Sequence, residues 1–92
     1  MDLNIVVVSG TLSVHPQINT FQNGKGEMVL TVKTKSESKM ARFTKAWYLT
    51  TDDDIKKLAL VRGDRVWVSG YLQDNDLIAT HVQKVEVDDD ES

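Results

Sequence analysis

The chain has 92 residues, 40% of them hydrophobic, which suits one small domain with a modest core. It contains no cysteine, which excludes a disulfide scaffold, a thiol nucleophile and a cysteine-based zinc site. The net charge of −3 argues against a uniformly basic surface, but Asp88, Asp89, Asp90 and Glu91 supply four of the fourteen acids, and residues 1–87 carry +1.

The start, Met1-Asp2-Leu3-Asn4, lacks the basic flank of a signal peptide, and the apolar run Ile5 to Val8 is far too short for a membrane span. A soluble, cytoplasmic protein is expected. Ile5 to Leu12 reads as a valine-rich strand that carries a glycine near its end. Val6, Val8 and Leu12 fall on one face, and Ile5 and Val7 on the other. A strand apolar on both sides is usually covered on both sides. The second cover is either another subunit or the chain's own termini and loops. Pro16 bends the chain, because it lacks an N–H and disfavours helix before it. Asn23-Gly24 is a tight-turn signal, since both residues tolerate positive φ.

In the second strand, Met28, Leu30 and Val32 alternate with Val29, Thr31 and Lys33; the first set is assigned to the core. The third strand puts Phe43, Lys45, Trp47 and Leu49 on one face and Thr44, Ala46 and Tyr48 on the other. Asp52-Asp53-Asp54 opens a short helix, where carboxylates suit unpaired N–H groups and the helix dipole. The run could also hold a metal ion, but no convergent partners are visible, so none is expected. Ile55, Leu58 and Ala59 have helical spacing, and Gly63 is the expected stop.

Arg65 to Leu72 is the fourth strand, with Val66 and Val68 inward and Trp67 and Ser69 outward. A polar turn, Asp74-Asn75-Asp76, leads to a fifth strand over Leu77 to Val87. Val8-Ser9-Gly10-Thr11-Leu12 echoes Val68-Ser69-Gly70-Tyr71-Leu72, as two similar strand bends would. The fold class is therefore all-β: a five-stranded OB-fold barrel with a short helix between strands three and four. It spans residues 1–87 and is followed by a short acidic tail, 88–92.

Sequence-tolerant binding of a single nucleic-acid strand needs cations along the phosphates and aromatic faces for the bases. Residues 33–49 offer both. Lys33, Lys35, Lys39, Arg42 and Lys45 outweigh Glu37 to give +4 over residues 33–45, and Phe43 and Trp47 flank Lys45 on one strand face. The competing assignment makes Phe43 and Trp47 core residues. Trp67 lies opposite Val66 and Val68, and an outward indole suits a subunit interface better than a stacked base or open surface. His15 and His81 sit in different elements with no cysteine nearby and are assigned to structure or surface. No catalytic triad, phosphate loop or carboxylate pair stands out. No enzyme activity, cofactor, metal or small-molecule substrate is expected.

The order of these pieces resembles the bacterial and phage single-stranded DNA-binding proteins (SSB). The matching pieces are Asn4 to Leu12, His15-Pro16, Phe21 to Gly26, Leu30-Thr31-Val32, Ser36-Glu37-Ser38, Ala46-Trp47 and Val66 to Leu72. The resemblance covers roughly residues 4–87. It implies binding of single-stranded DNA in replication, recombination or repair, through the hairpin and a tryptophan at the position of Trp47. It also implies pairing of subunits through the first strand, which agrees with the homo-oligomer, dimer or tetramer, expected from the two-sided apolar first strand and the outward indole, with Ile5, Val7 and Trp67 as the interface.

The chain departs from that family in three places. Ser38 or Lys39 stands where a second tryptophan is common. The turn Gln73 to Asp76 is short and acidic instead of long and basic. The acidic end lacks an apolar tip, so it is expected to compete weakly for the DNA site and not to dock partners. A related reading is an accessory primosomal protein of the same fold, a dimer that binds single-stranded DNA and replication proteins. A third, of another class, is a protein–protein adaptor.

Overall fold

The computed structural model describes residues 4–35 and 40–86. Alternating apolar residues dictate its strands. β1 (Val6–Leu12) and β2 (Gln17–Thr20) precede a tight turn, and β3 (Lys25–Lys35) and β4 (Ala41–Thr51) form a long hairpin. Helix α1 (Asp52–Leu58) follows, and then β5 (Arg65–Gln73) and β6 (Asp76–Val85). The strand order is β1-β5-β6-β4-β3-β2, and a β1–β3 pairing closes the sheet into a barrel. β4 and β6 run parallel; the other pairs are antiparallel.

This is the expected OB-fold barrel. β1 and β2 are two halves of its first strand. β1 follows β5 from Val6 to Thr11, meets β3 at Thr11 and Leu12, and after a bend β2 continues along β3. The bend contains Pro16, whose missing N–H could not join a ladder, and Ser13 N–H donates to the Thr31 carbonyl at 3.0 Å. β2 itself was not foreseen, because Gln-Ile-Asn-Thr carries no strong strand signal.

The core is the inward set of every strand but β2. Leu12, Met28, Leu30, Val32, Ala46, Val66, Val68, Leu77, Ala79 and Val82 are buried, and Ile55 and Leu60 close one end. The sequence assignment of Met28, Leu30 and Val32 to the core, with Val66 and Val68 inward, holds. The paired bends at Gly10 and Gly70 have one physical cause. A Cβ at Gly10 would collide with the Lys33 carbonyl, and one at Gly70 with the Ile78 carbonyl. Each glycine lets a neighbouring strand's backbone come close at a barrel corner. β5 and β6 also slip register between Ser69 and Gly70.

The turns follow local chemistry. Asn23 and Gly24 have φ of 72° and 73°, as the Asn-Gly pair predicts. Asp74 and Asn75, at 53° and 72°, make the β5–β6 turn in the same way. The Asp52-Asp53-Asp54 run does open α1. Its N-cap is Thr51, whose hydroxyl accepts from Asp54 N–H at 3.1 Å.

The helix stop differs from expectation. α1 ends at Ala59, in the left-handed region at φ 47°, and not at Gly63. The early stop turns Leu60 into the core. Gly63, at φ 95°, serves the turn into β5, where its N–H donates to the Leu12 carbonyl at 2.9 Å. Among the described residues, no helix is long and apolar enough to cross a membrane. The acidic tail, 88–92, lies outside the described residues, as does Lys39.

Candidate nucleic-acid interface

The β3–β4 hairpin is fully paired from Lys25↔Thr51 to Lys35↔Ala41. This register decides which side chains share a face. Lys33 stands opposite Phe43, Thr31 opposite Lys45, and Val29 opposite Trp47. Their inward neighbours Leu30, Val32 and Ala46 are buried, so all six of these residues point away from the core. Phe43 is 62% exposed, which rules out its assignment to the core. Trp47 is half-buried on the outer surface.

The half-burial of Trp47 comes from its place in a row that crosses five strands. Gln17 pairs with Val29, Val29 with Trp47, Trp47 with Ile78 across the parallel junction, and Ile78 with Tyr71. Val29 and Ile78 flank the indole and limit its movement. An aromatic held in this way can accept a base with little further loss of side-chain freedom. Phe43 and Trp47, with Lys45 between them, also line a shallow groove of about 230 Å³ that reaches Leu72, Asn75 and Asp76 at the β5–β6 turn. The short acidic turn therefore edges the groove directly, through Asn75 and Asp76.

The cations divide. Lys33, Lys35 and Lys45 lie in phase with Phe43 and Trp47. Arg42 pairs with Thr34 and alternates to the other face of the hairpin. Among the described residues, no carboxylate forms an ion pair with Lys33, Lys35, Arg42 or Lys45; the ion pair present is Lys84–Asp64 at 3.7 Å. These charges are therefore free to meet a polyanion.

Sequence reading missed Val29, Ile78 and Tyr71 as neighbours of Trp47. Tyr71 had a signal, since alternation from Trp67 through Ser69 turns it outward. Its position in the Trp47 row depends on the β4–β6 junction and the register slip, and neither is local in sequence.

The inner side of β4 is tied to α1. The Tyr48 hydroxyl and the Thr50 hydroxyl both donate to Asp54 Oδ2 at 2.9 Å. That use of Asp54 explains one member of the acidic run without a ligand. Burial above all, together with the Asp54 carboxylate, holds the Tyr48 phenol above its ordinary value of 10.0, against an opposing hydrogen bond with Thr50.

A second outer face lies across β1, β5 and β6. Val7 pairs with Ser69 and Ser9 with Trp67, while Ser69 pairs with His81 and Trp67 with Gln83. Ile5 is 71% exposed and Val7 53%. The described termini and loops of the chain therefore leave both largely uncovered. Trp67 stacks edge-on against His81, with ring centroids 5.6 Å apart. Below Thr11, the edge of β1 away from β5 has no partner strand within the described residues.

No family model matches the chain, and no curated relative matches it. Among solved structures, the N-terminal domain of a PriB protein from Thermoanaerobacter tencongensis, described as dimeric, is similar with a TM-score of 0.74 at 14% identity; the match covers 91% of this chain and 98% of that one. The SSB domain of a protein from Synechococcus sp. is similar with a TM-score of 0.71 at 18% identity, over 89% of this chain and 96% of that one. The chain thus shares its OB fold with an SSB domain and a PriB domain.

Proposed function

We propose that this protein is a non-enzymatic binder of single-stranded DNA that acts as a homo-oligomer. The observation that carries the reading is the outer face of β3–β4, where Phe43 and Trp47 alternate with Lys45 and stand beside Lys33. Bases stack on the two rings, and the lysines follow the phosphates. Stacking uses the π-face that every base has, so the binding is tolerant of sequence. The outer face of β1–β5, with Ile5, Val7 and Trp67, joins subunits. The dimeric PriB domain supports pairing of this fold.

Two roles are consistent with the face: general protection of single strands, and an accessory part in a primosome. The short turn, whose Asn75 and Asp76 edge the stacking groove, places a carboxylate beside the bound strand in either role. The test is anisotropy of a labelled oligo-dT across a salt series. Three or four phosphate contacts give a slope of log K against log salt of about −2 to −3, from about −0.7 for each contact. A flat response would mean that the lysines do not meet phosphates.

A further inference from the structure

β1 and β3 pair only at Thr11↔Lys33 and Leu12↔Val32. Toward Ser9 the ladder pairing stops, and a groove of about 730 Å³ lies at the seam. Lys33, Lys35 and Arg65 line it with the hydroxyl residues Ser9, Thr11 and Thr34. Among the described residues that line it there is no carboxylate. Its two walls are tied together, since the Thr34 hydroxyl donates to the Ser9 carbonyl at 2.9 Å. Two acids adjoin its lining in sequence: Asp64, whose carboxylate accepts from Val61 N–H at 2.9 Å and pairs with Lys84 at 3.7 Å, and the exposed Glu86, which follows Val85.

The groove is continuous with the aromatic face through one cross-strand row. Arg65 pairs with Thr11, Thr11 with Lys33, and Lys33 with Phe43. The row spans four strands, or roughly 14 Å at the usual strand spacing. It runs from an exposed ring, over one cation, to a second cation beside an open groove.

We propose that a single DNA strand stacked on Phe43 and Trp47 continues over Lys33 into this groove, where Arg65 and Lys35 hold its phosphates. This rests on the single-strand reading of the β3–β4 face and extends it to a second subsite. Arg65 is the residue that defines the subsite. It lies outside the hairpin, on a different strand, and its planar fork suits phosphate oxygens.

The test compares two oligo-dT probes, one of about 4 nucleotides and one of about 16, the range that a single OB fold occupies. Arg65→Ala is expected to weaken the long probe several-fold, reduce its salt slope by about 0.7 and leave the short probe unchanged. Arg65→Lys restores the slope, because the charge is kept. Trp47→Ala weakens both probes. If Arg65→Ala leaves the affinity and slope of the long probe intact while Trp47→Ala weakens both, the groove is not used and the β3–β4 reading stands. Equal weakening of both probes by Arg65→Ala would also overturn the subsite, since Arg65 would then act at the stacking face. If the unsubstituted protein binds neither probe, both readings fall.

Discussion

The outer faces of β3–β4 and of β1–β5 are made in the same way, from alternate residues of paired strands turned away from one core, yet their chemistries differ. The first interleaves Phe43 and Trp47 with Lys33 and Lys45. The second presents Ile5, Val7, Ser69 and Trp67, with one cation, Arg65, in phase at its far end. A polyanion suits the first face, because cations release its counterions and rings accept its bases. It gains nothing from the apolar part of the second, which ends where Arg65 borders the seam groove. A second protein surface suits the face of β1–β5, where burying valine, isoleucine and indole contributes roughly 25 cal/mol for each Å² removed from water. The barrel supplies positions, and the outward residues assign the work.

The comparison is broken most forcefully at Trp67. Trp67→Arg places an unpaired charge where a subunit interface would desolvate it, at a cost of several kcal/mol. Loss of the oligomer is expected in light scattering on the free protein, with binding of a short oligo-dT retained. A monodisperse monomer of the unsubstituted protein at high concentration would remove the basis for the second face.

Trp47→Ala should do the reverse. Oligo-dT affinity is expected to fall by roughly 1–3 kcal/mol, while the assembly state stays the same. Unchanged affinity with an intact fold would separate Trp47 from the site.

The smallest effect belongs to the inward side of the same strand. Tyr48→Phe deletes one charged hydrogen bond to Asp54, and a loss of about 1.5 kcal/mol of stability is expected, with assembly and DNA binding unaltered. Its pH dependence has a definite sign. The folded phenol holds its proton above the ordinary 10.0, so between that value and the folded one the unfolded chain has fewer protons bound. The stabilisation is complete below pH 10 and is lost as pH rises through the folded value. Denaturant melts should show this decline above pH 10, and Tyr48→Phe should remove that part of it.

Much of this division was legible in the sequence. Period-2 alternation placed Met28, Leu30 and Val32 inside and put Phe43, Lys45 and Trp47 together on one face, because a strand's faces are fixed by its own residues; that this face is the outer one came from the structure. The Asn-Gly turn and the glycine echo were legible for the same reason, since each reports a local backbone demand. Arg42 was grouped with the lysines by charge density alone, and alternation sends it to the other face. The stop of α1 at Ala59 depended on where Leu60 had to go, which is a demand of the core. The places of Arg65, Val29, Ile78 and Tyr71 beside the rings and the groove depended on strand register, which local alternation does not reveal, although it turned Tyr71 outward.

The most direct measurement is an amide chemical-shift titration of isotopically labelled protein with oligo-dT. The expected changes concentrate at Thr31, Lys33, Phe43, Lys45 and Trp47, and leave Val7, Ser69, Trp67 and His81 near their free positions. Shifts concentrated on β1 and β5, with the β3–β4 face silent, would contradict the assignment of DNA to one face and subunit contact to the other.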